Sequence, residues 1–268
     1  MKNSKLKLVL KITLSILTLA LGITLILLAY FFQKDIGKAW TYVLNILGAI
    51  ISFVGVCLVY KLFNHKKHSL TVKQMTMVAV QSAITVILYY FVKFNLPIFP
   101  PWLDIQVSEI PALITAFAYG PYAGCLVIFI RFIIKLPATI TAGVGEFADL
   151  ILGVVLVLVS SLIYHRNKSL KNALIGTSIG VLCATILALF VNWLILIPAY
   201  INIAKFPLES LVGMLDSYIP YTVNENNFMV TYILVGVLPF NIVRYILVSA
   251  LTFILYKKIH FLLDKITK

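Results

Sequence analysis

Three polar side chains interrupt the last two long apolar runs of this 268-residue chain: Asn192 in one, Asn241 and Arg244 in the other. An asparagine amide offers both a donor and an acceptor, and a guanidinium offers a planar fork of donors. Asn241 and Arg244 stand three residues apart, on one face of a helix. Pro239, just before them, can release backbone groups toward the same space. A charged side chain at the centre of a membrane helix costs about 2.5–3.5 kcal/mol on insertion scales, so something must offset Arg244. Together the three suit a flat, heteroatom-rich ring better than a simple ion. The alternative is that they bond to each other or to neighbouring helices.

Two irregular stretches sit between the apolar runs, Glu109-Ile-Pro-Ala-Leu…Gly120-Pro-Tyr-Ala-Gly124 and Thr139–Asp149. Irregular polar backbone survives at membrane depth only where protein or a cavity satisfies it, so both stretches point to a site. In the second, the glycines around Gly143 let backbone approach a ligand. Glu146 and Asp149 open the next run, where a carboxylate favours a helix N-terminus, and capping and ligand contact are both open for them. On the run before it, Lys135 reads as a lysine snorkelling to the interface, an explanation that fits Arg131 less well. Ala79-Val-Gln-Ser-Ala83 is a small-xxx-small face suited to close approach of another helix, internal or external.

Other chemistry is poorly supported. The Gly37-Lys38 pair is followed by Ala39 and has Phe32 in place of the leading glycine, so no phosphate-cradling loop forms there. Gly176-Thr-Ser-Ile-Gly180 matches a serine-hydrolase string but begins a transmembrane helix, where close helix packing is the better reading. The four histidines sit at helix ends, without metal-binding spacing, where they meet headgroups. Cys57, Cys125 and Cys183 lie singly in apolar runs and read as small buried hydrophobes. No metal, no cofactor and no enzyme are expected; binding or transport is the surviving class.

These residues are positioned by helices. With 62% hydrophobic and 12% charged residues, the chain is a polytopic membrane protein. Runs of about 20 apolar residues cross a bilayer, and they fall near 9–32, 40–62, 72–94, 108–119, 121–138, 146–164, 171–201 and 227–256. The fourth is short and is joined to the fifth by Gly120-Pro121. Of the 22 basic residues, 15 fall on one side of this arrangement, which makes both termini cytoplasmic in a multi-pass cell-membrane protein. The net charge of +13 thus reports topology rather than nucleic-acid binding. The expected organisation is an N-terminal two-helix hairpin (1–65), a six-helix substrate-binding domain (69–260) and a cytoplasmic tail (261–268). Leu208–Leu215 is an amphipathic stretch in an outer segment that reads as a lid or a connector.

The chain resembles the substrate-binding S components of energy-coupling factor (ECF) vitamin transporters, most closely the riboflavin-specific member. The likeness covers about residues 70–260. It rests on Ala79-xxx-Ala83, Ser108-Glu-Ile-Pro-Ala-Leu, Gly120-Pro-Tyr-Ala-Gly124, Thr141-Ala-Gly-Val-Gly-Glu-Phe-Ala-Asp149, Asn192-Trp…Pro198-Ala-Tyr200 and Pro239-Phe-Asn-Ile-Val-Arg244. The resemblance implies an all-α six-helix core with an outward-facing vitamin pocket. Such a core docks on a transmembrane coupling subunit driven by two ATPases, which use the ATP. It implies that Asn192, Asn241 and Arg244 contact the isoalloxazine edge, with the backbone of Thr141, Gly143 and Glu146 nearby, and that Ala79 and Ala83 meet the coupling subunit. Two departures stand out: the family commonly carries lysine where Arg244 stands, and the first 65 residues are additional to the core. Alternatives are an S component for another flat vitamin, such as folate or a pyrimidine-type precursor, and a stand-alone secondary carrier, for which no internal repeat is evident.

Overall fold

The computed structural model describes residues 70–267 except 101, 140–142, 203–204 and 220–221, together with isolated helical positions between 17 and 55. The hairpin expected over 1–65 therefore lies largely outside the described residues. The chain divides into two compact units, one formed by Leu70–Ala138 with Val144–Lys268, the other by Met1–Ser69 with Thr139–Gly143. The elements below all belong to the first.

Helix α1 (Val72–Phe91) starts at a capping box in which Thr71 and Gln74 satisfy each other's backbone amides. A small antiparallel hairpin follows, β1 (Lys93–Asn95) with β2 (Asp104–Gln106). Then come α2 (Ile110–Tyr119), α3 (Pro121–Lys135), α4 (Val144–Tyr164) and α5 (Leu170–Val191). Helix α5 runs through a π-helical turn (Asn192–Leu196) into α6 (Ile197–Asn202), and α7 (Leu208–Asp216) is a short connector helix. Helix α8 (Glu225–Thr231) passes through a second π-helical turn (Tyr232–Val237) into α9 (Leu238–Thr267). Helix α9 thus carries helical backbone through the segment expected as a tail.

Five of these stretches are long and apolar enough to cross a membrane: Val72–Phe91, Pro121–Ala138, Val144–Tyr164, Leu170–Ile201 and Glu225–Tyr256. The short fourth run is the apolar helix Ile110–Tyr119. The polarity of α1 is inverted relative to a water-soluble helix. Gln81, Ser82 and Thr85 are buried, whereas Val72, Ile87 and Phe91 are exposed. Such a surface is stable against hydrocarbon, where inward polar groups hold helices together.

Glycines set the closest contacts. A Cβ at Gly180 would lie 2.4 Å from Ser160 Oγ, and one at Gly176 would lie 2.6 Å from the Ser160 carbonyl, so α5 packs on α4 through the Gly176/Gly180 face, as the spacing predicts. Gly120 adopts φ 104°, which lets the chain reverse between α2 and α3. At Gly124 a Cβ would sit 2.4 Å from that of Ala116, which explains the Gly-Pro-Tyr-Ala-Gly string as a packing device.

Both π turns have a local cause. Pro198 and Pro239 lack an amide donor, and each ring clashes with the carbonyl four residues earlier, at Leu194 and Val235. Those residues lie inside the two widened turns. Leu211 and Leu215 of α7 join a core cluster with Ala188, Phe228 and Tyr232, so this connector is packed against the bundle. Phe99 of the hairpin loop packs edge-on against Phe240, with ring centroids 5.4 Å apart.

Candidate ligand site

Glu109 occupies the N-cap position of α2, yet its side chain makes no capping hydrogen bond. The carboxylate turns to two cations instead. Its Oε1 accepts from Arg131 Nη1 at 3.3 Å and makes a short ion pair with Arg244 Nη2. Arg131 also donates to Ser108 Oγ at 2.5 Å, and Ser108 and Gln106 continue the path toward Asp149, whose Oδ2 accepts from Gln106 Nε2 at 3.3 Å. Lys135 Nζ lies 2.7 Å from the same Asp149 oxygen and 3.7 Å from the centroid of the Tyr89 ring. Arg244 Nη1 stands 3.8 Å from Asp149 Oδ1. Arg131 and Glu109 are each 1% exposed, so these charges are withdrawn from solvent and depend on one another.

The network ties β2, α2, α3, α4 and α9 together, with Tyr89 of α1 against it. It also supplies the offset that Arg244 requires. The Lys135 reading is corrected: this ammonium is 3% exposed and paired with Asp149, because a buried carboxylate lies within its reach and no snorkelling is needed.

A second polar chain runs beside the π turns. Trp102 Nε1, in the hairpin loop, donates to Tyr232 Oη at 3.2 Å, and Tyr232 Oη donates to Asn192 Oδ1 at 3.2 Å. Asn192 Nδ2 donates to the Ala188 carbonyl and Asn241 Nδ2 to the Val237 carbonyl, both at 2.8 Å. Each of these carbonyls lies four residues before its asparagine, so each amide holds to its own helix beside a widened turn. Asn192, Asn241 and Arg244 are all at least nine-tenths buried.

Glu146 lies in the first turn of α4 and is half-buried. Gly143, at φ 86°, accepts the conformation that favours glycine, and its amide donates to Thr139 Oγ1 at 3.0 Å. Thr141 lies outside the described residues. Ala79 and Ala83 are exposed on α1. His165 turns inward, with Nε2 2.9 Å from the Ala116 carbonyl, rather than toward headgroups.

Sequence reasoning missed Ser108 and Glu109 as partners of the buried cations, Gln106 as a partner of Asp149, and Tyr232, with Trp102 behind it, as the partner of Asn192. A signal for the acid existed: Arg131, Lys135 and Arg244 need counterions, and the chain holds nine carboxylate residues in all. Nothing in the spacing of Trp102 and Tyr232 foretells a contact across 130 residues.

Comparison with known proteins bears on this arrangement. The family model described as the ECF transporter, substrate-specific component, matches residues 73–256. The chain is 29% identical over 194 residues to the riboflavin transporter RibU of Staphylococcus aureus (strain TCH60), covering 72% of this chain and 94% of that protein. It is 27% identical over 191 residues to the riboflavin transporter FmnP of Bacillus subtilis (strain 168), covering 70% of this chain and 92% of that protein. A solved S component of a bacterial ECF transporter superposes with a TM-score of 0.56 at 27% identity, covering 71% of this chain and 97% of that one.

Proposed function

This chain belongs to the family of ECF transporter substrate-specific components, and we propose that within it the protein is the high-affinity riboflavin-binding subunit of an energy-coupling factor ABC-type transporter. The observation that carries this reading is the likeness to riboflavin transporters over about seven-tenths of the chain; the family match, over residues 73–256, includes the whole buried polar network. Asn192, Asn241 and Arg244 contact the isoalloxazine edge, and Glu146 lies along the ligand. A flat aromatic ring is held by apolar walls and oriented by a few polar groups, the composition that small-molecule sites favour.

Capture takes place on the outer side, with both termini in the cytoplasm. The segments carrying Trp102 and α7 close over the ligand. Ala79 and Ala83 then seat the subunit on a transmembrane coupling protein, and two ATPases supply the energy. An all-α six-helix core performs the binding. Riboflavin is the transported ligand; the subunit itself needs no cofactor and catalyses no reaction.

Titration of the purified protein in detergent with riboflavin, folate and a pyrimidine vitamin precursor tests the reading. Saturable riboflavin binding with no response to the others is expected. A preference for folate or the precursor would replace riboflavin as the substrate while leaving the family unchanged.

A further inference from the structure

We propose that Glu109 is itself a ligand-binding residue, whose second carboxylate oxygen accepts from the imide N–H of the flavin ring while Arg244 Nε donates to the neighbouring ring carbonyl. This rests on the riboflavin reading above and adds a residue and a pairing pattern to it.

Glu109 forgoes the helix cap that its position offers and is 1% exposed. Both of its ion-pair contacts use Oε1, while Oε2 is buried without a hydrogen-bond partner. Arg244 shows the complementary arrangement. Its Nη2 meets Glu109 and its Nη1 faces Asp149, while Nε is buried without a partner. Two groups already in contact therefore leave one acceptor and one donor over.

Buried polar atoms of charged groups are expensive to leave unpaired. Among the described residues, the other buried side-chain atoms without a partner are hydroxyls, of Thr85, Tyr119, Thr185 and Tyr245. Glu109 Oε2 is thus the one carboxylate oxygen in this condition. Asn192 Oδ1 already accepts from Tyr232 and both asparagine Nδ2 groups hold helix carbonyls, so Glu109 Oε2 is the charged acceptor beside these amides.

The pyrimidine edge of a flavin presents carbonyl, N–H and carbonyl in sequence. An acceptor beside a donor matches half of that edge, and a bond from an N–H to a carboxylate is of the stronger, charge-assisted kind. Arginine supplies what lysine lacks here. With its terminal nitrogens held by Glu109 and Asp149, it still has Nε–H to give.

The test is a double-mutant cycle of protein and ligand on the full-length protein, using riboflavin and its N3-methyl derivative. The methyl group removes the ring N–H. Wild type should bind the methylated flavin about ten- to a hundredfold more weakly than riboflavin, the range expected for a hydrogen bond to a charged group. Glu109→Gln should bind riboflavin more weakly and keep only the smaller discrimination of a neutral amide acceptor. If methylation costs the same in Glu109→Gln as in wild type, Glu109 is not the acceptor and closes a fork with Arg244 instead. Should Glu109→Gln fail to fold, Glu109→Asp keeps the charge facing Arg131 and Arg244 and is read in the same cycle. Equal affinity of wild type for the two flavins overturns the inference without any variant. Failure of wild type to bind riboflavin at all would instead remove the riboflavin reading on which it rests.

Discussion

Lys135 on α3 and Asp149 on α4 form a 2.7 Å ion pair whose cation is 3% exposed, at the edge of a network that also engages Glu109, Arg131 and Arg244. The pair joins two neighbouring helices that residues 136–143 separate in sequence. Neither charge reaches bulk solvent cheaply, so each depends on the other.

Removing one partner should therefore be costly. Asp149→Ala is expected to destabilise the protein by about 3–5 kcal/mol, because it leaves the Lys135 ammonium buried without its counterion. The paired change Lys135→Met with Asp149→Leu should recover part of that loss, since it removes the stranded ammonium while Arg244 and Gln106 still lose the Asp149 carboxylate. Thermal unfolding in detergent measures both. A melting temperature of Asp149→Ala equal to wild type would show that the pair contributes nothing to stability.

Glycine substitutions separate packing from backbone freedom. Gly180→Leu should destabilise by about 1–3 kcal/mol through overpacking, because its Cβ would already lie 2.4 Å from Ser160 Oγ and 2.9 Å from the Leu156 carbonyl. Gly213→Ala, at an exposed position of α7 with nothing within 4 Å of the added carbon, should stabilise by about 0.4–1 kcal/mol. The two melting temperatures should move in opposite directions. Equal shifts would contradict the close α4–α5 contact.

Ala79 and Ala83 are exposed on a helix whose polar residues turn inward. Ala79→Trp combined with Ala83→Trp should abolish riboflavin uptake by vesicles carrying the complete transporter, while leaving flavin binding in detergent within about twofold of wild type, a difference of well under 1.4 kcal/mol. Uptake at the wild-type rate would remove this face from the docking surface.

The helices were largely legible from hydropathy, because apolar runs with few charges have few other folds open to them. The Gly176/Gly180 packing face was readable because it depends on residues four apart. The site was legible only in part. Asn192, Asn241 and Arg244 stood out as polar groups in apolar surroundings, but what they touch is set by tertiary contacts. Glu109 pairs with Arg244 across 135 residues, and Tyr232 with Asn192 across 40. Lys135 shows the limit most clearly. Its place near a helix end suggested an interface, and only the approach of α4 makes burial with Asp149 the better solution. Pro239 was read as freeing backbone groups, but neither π turn was expected, because the widened geometry follows from how each helix relieves the clash at its proline.

The most direct measurement of the central claim is the visible absorption and flavin fluorescence of the detergent-purified protein, before and after riboflavin is added. Bound flavin carried through purification, or quenching of added riboflavin that saturates at a fixed stoichiometry, is the expected result. Well-folded protein that carries no flavin and leaves the fluorescence of added riboflavin unchanged would contradict the assignment of riboflavin as its ligand.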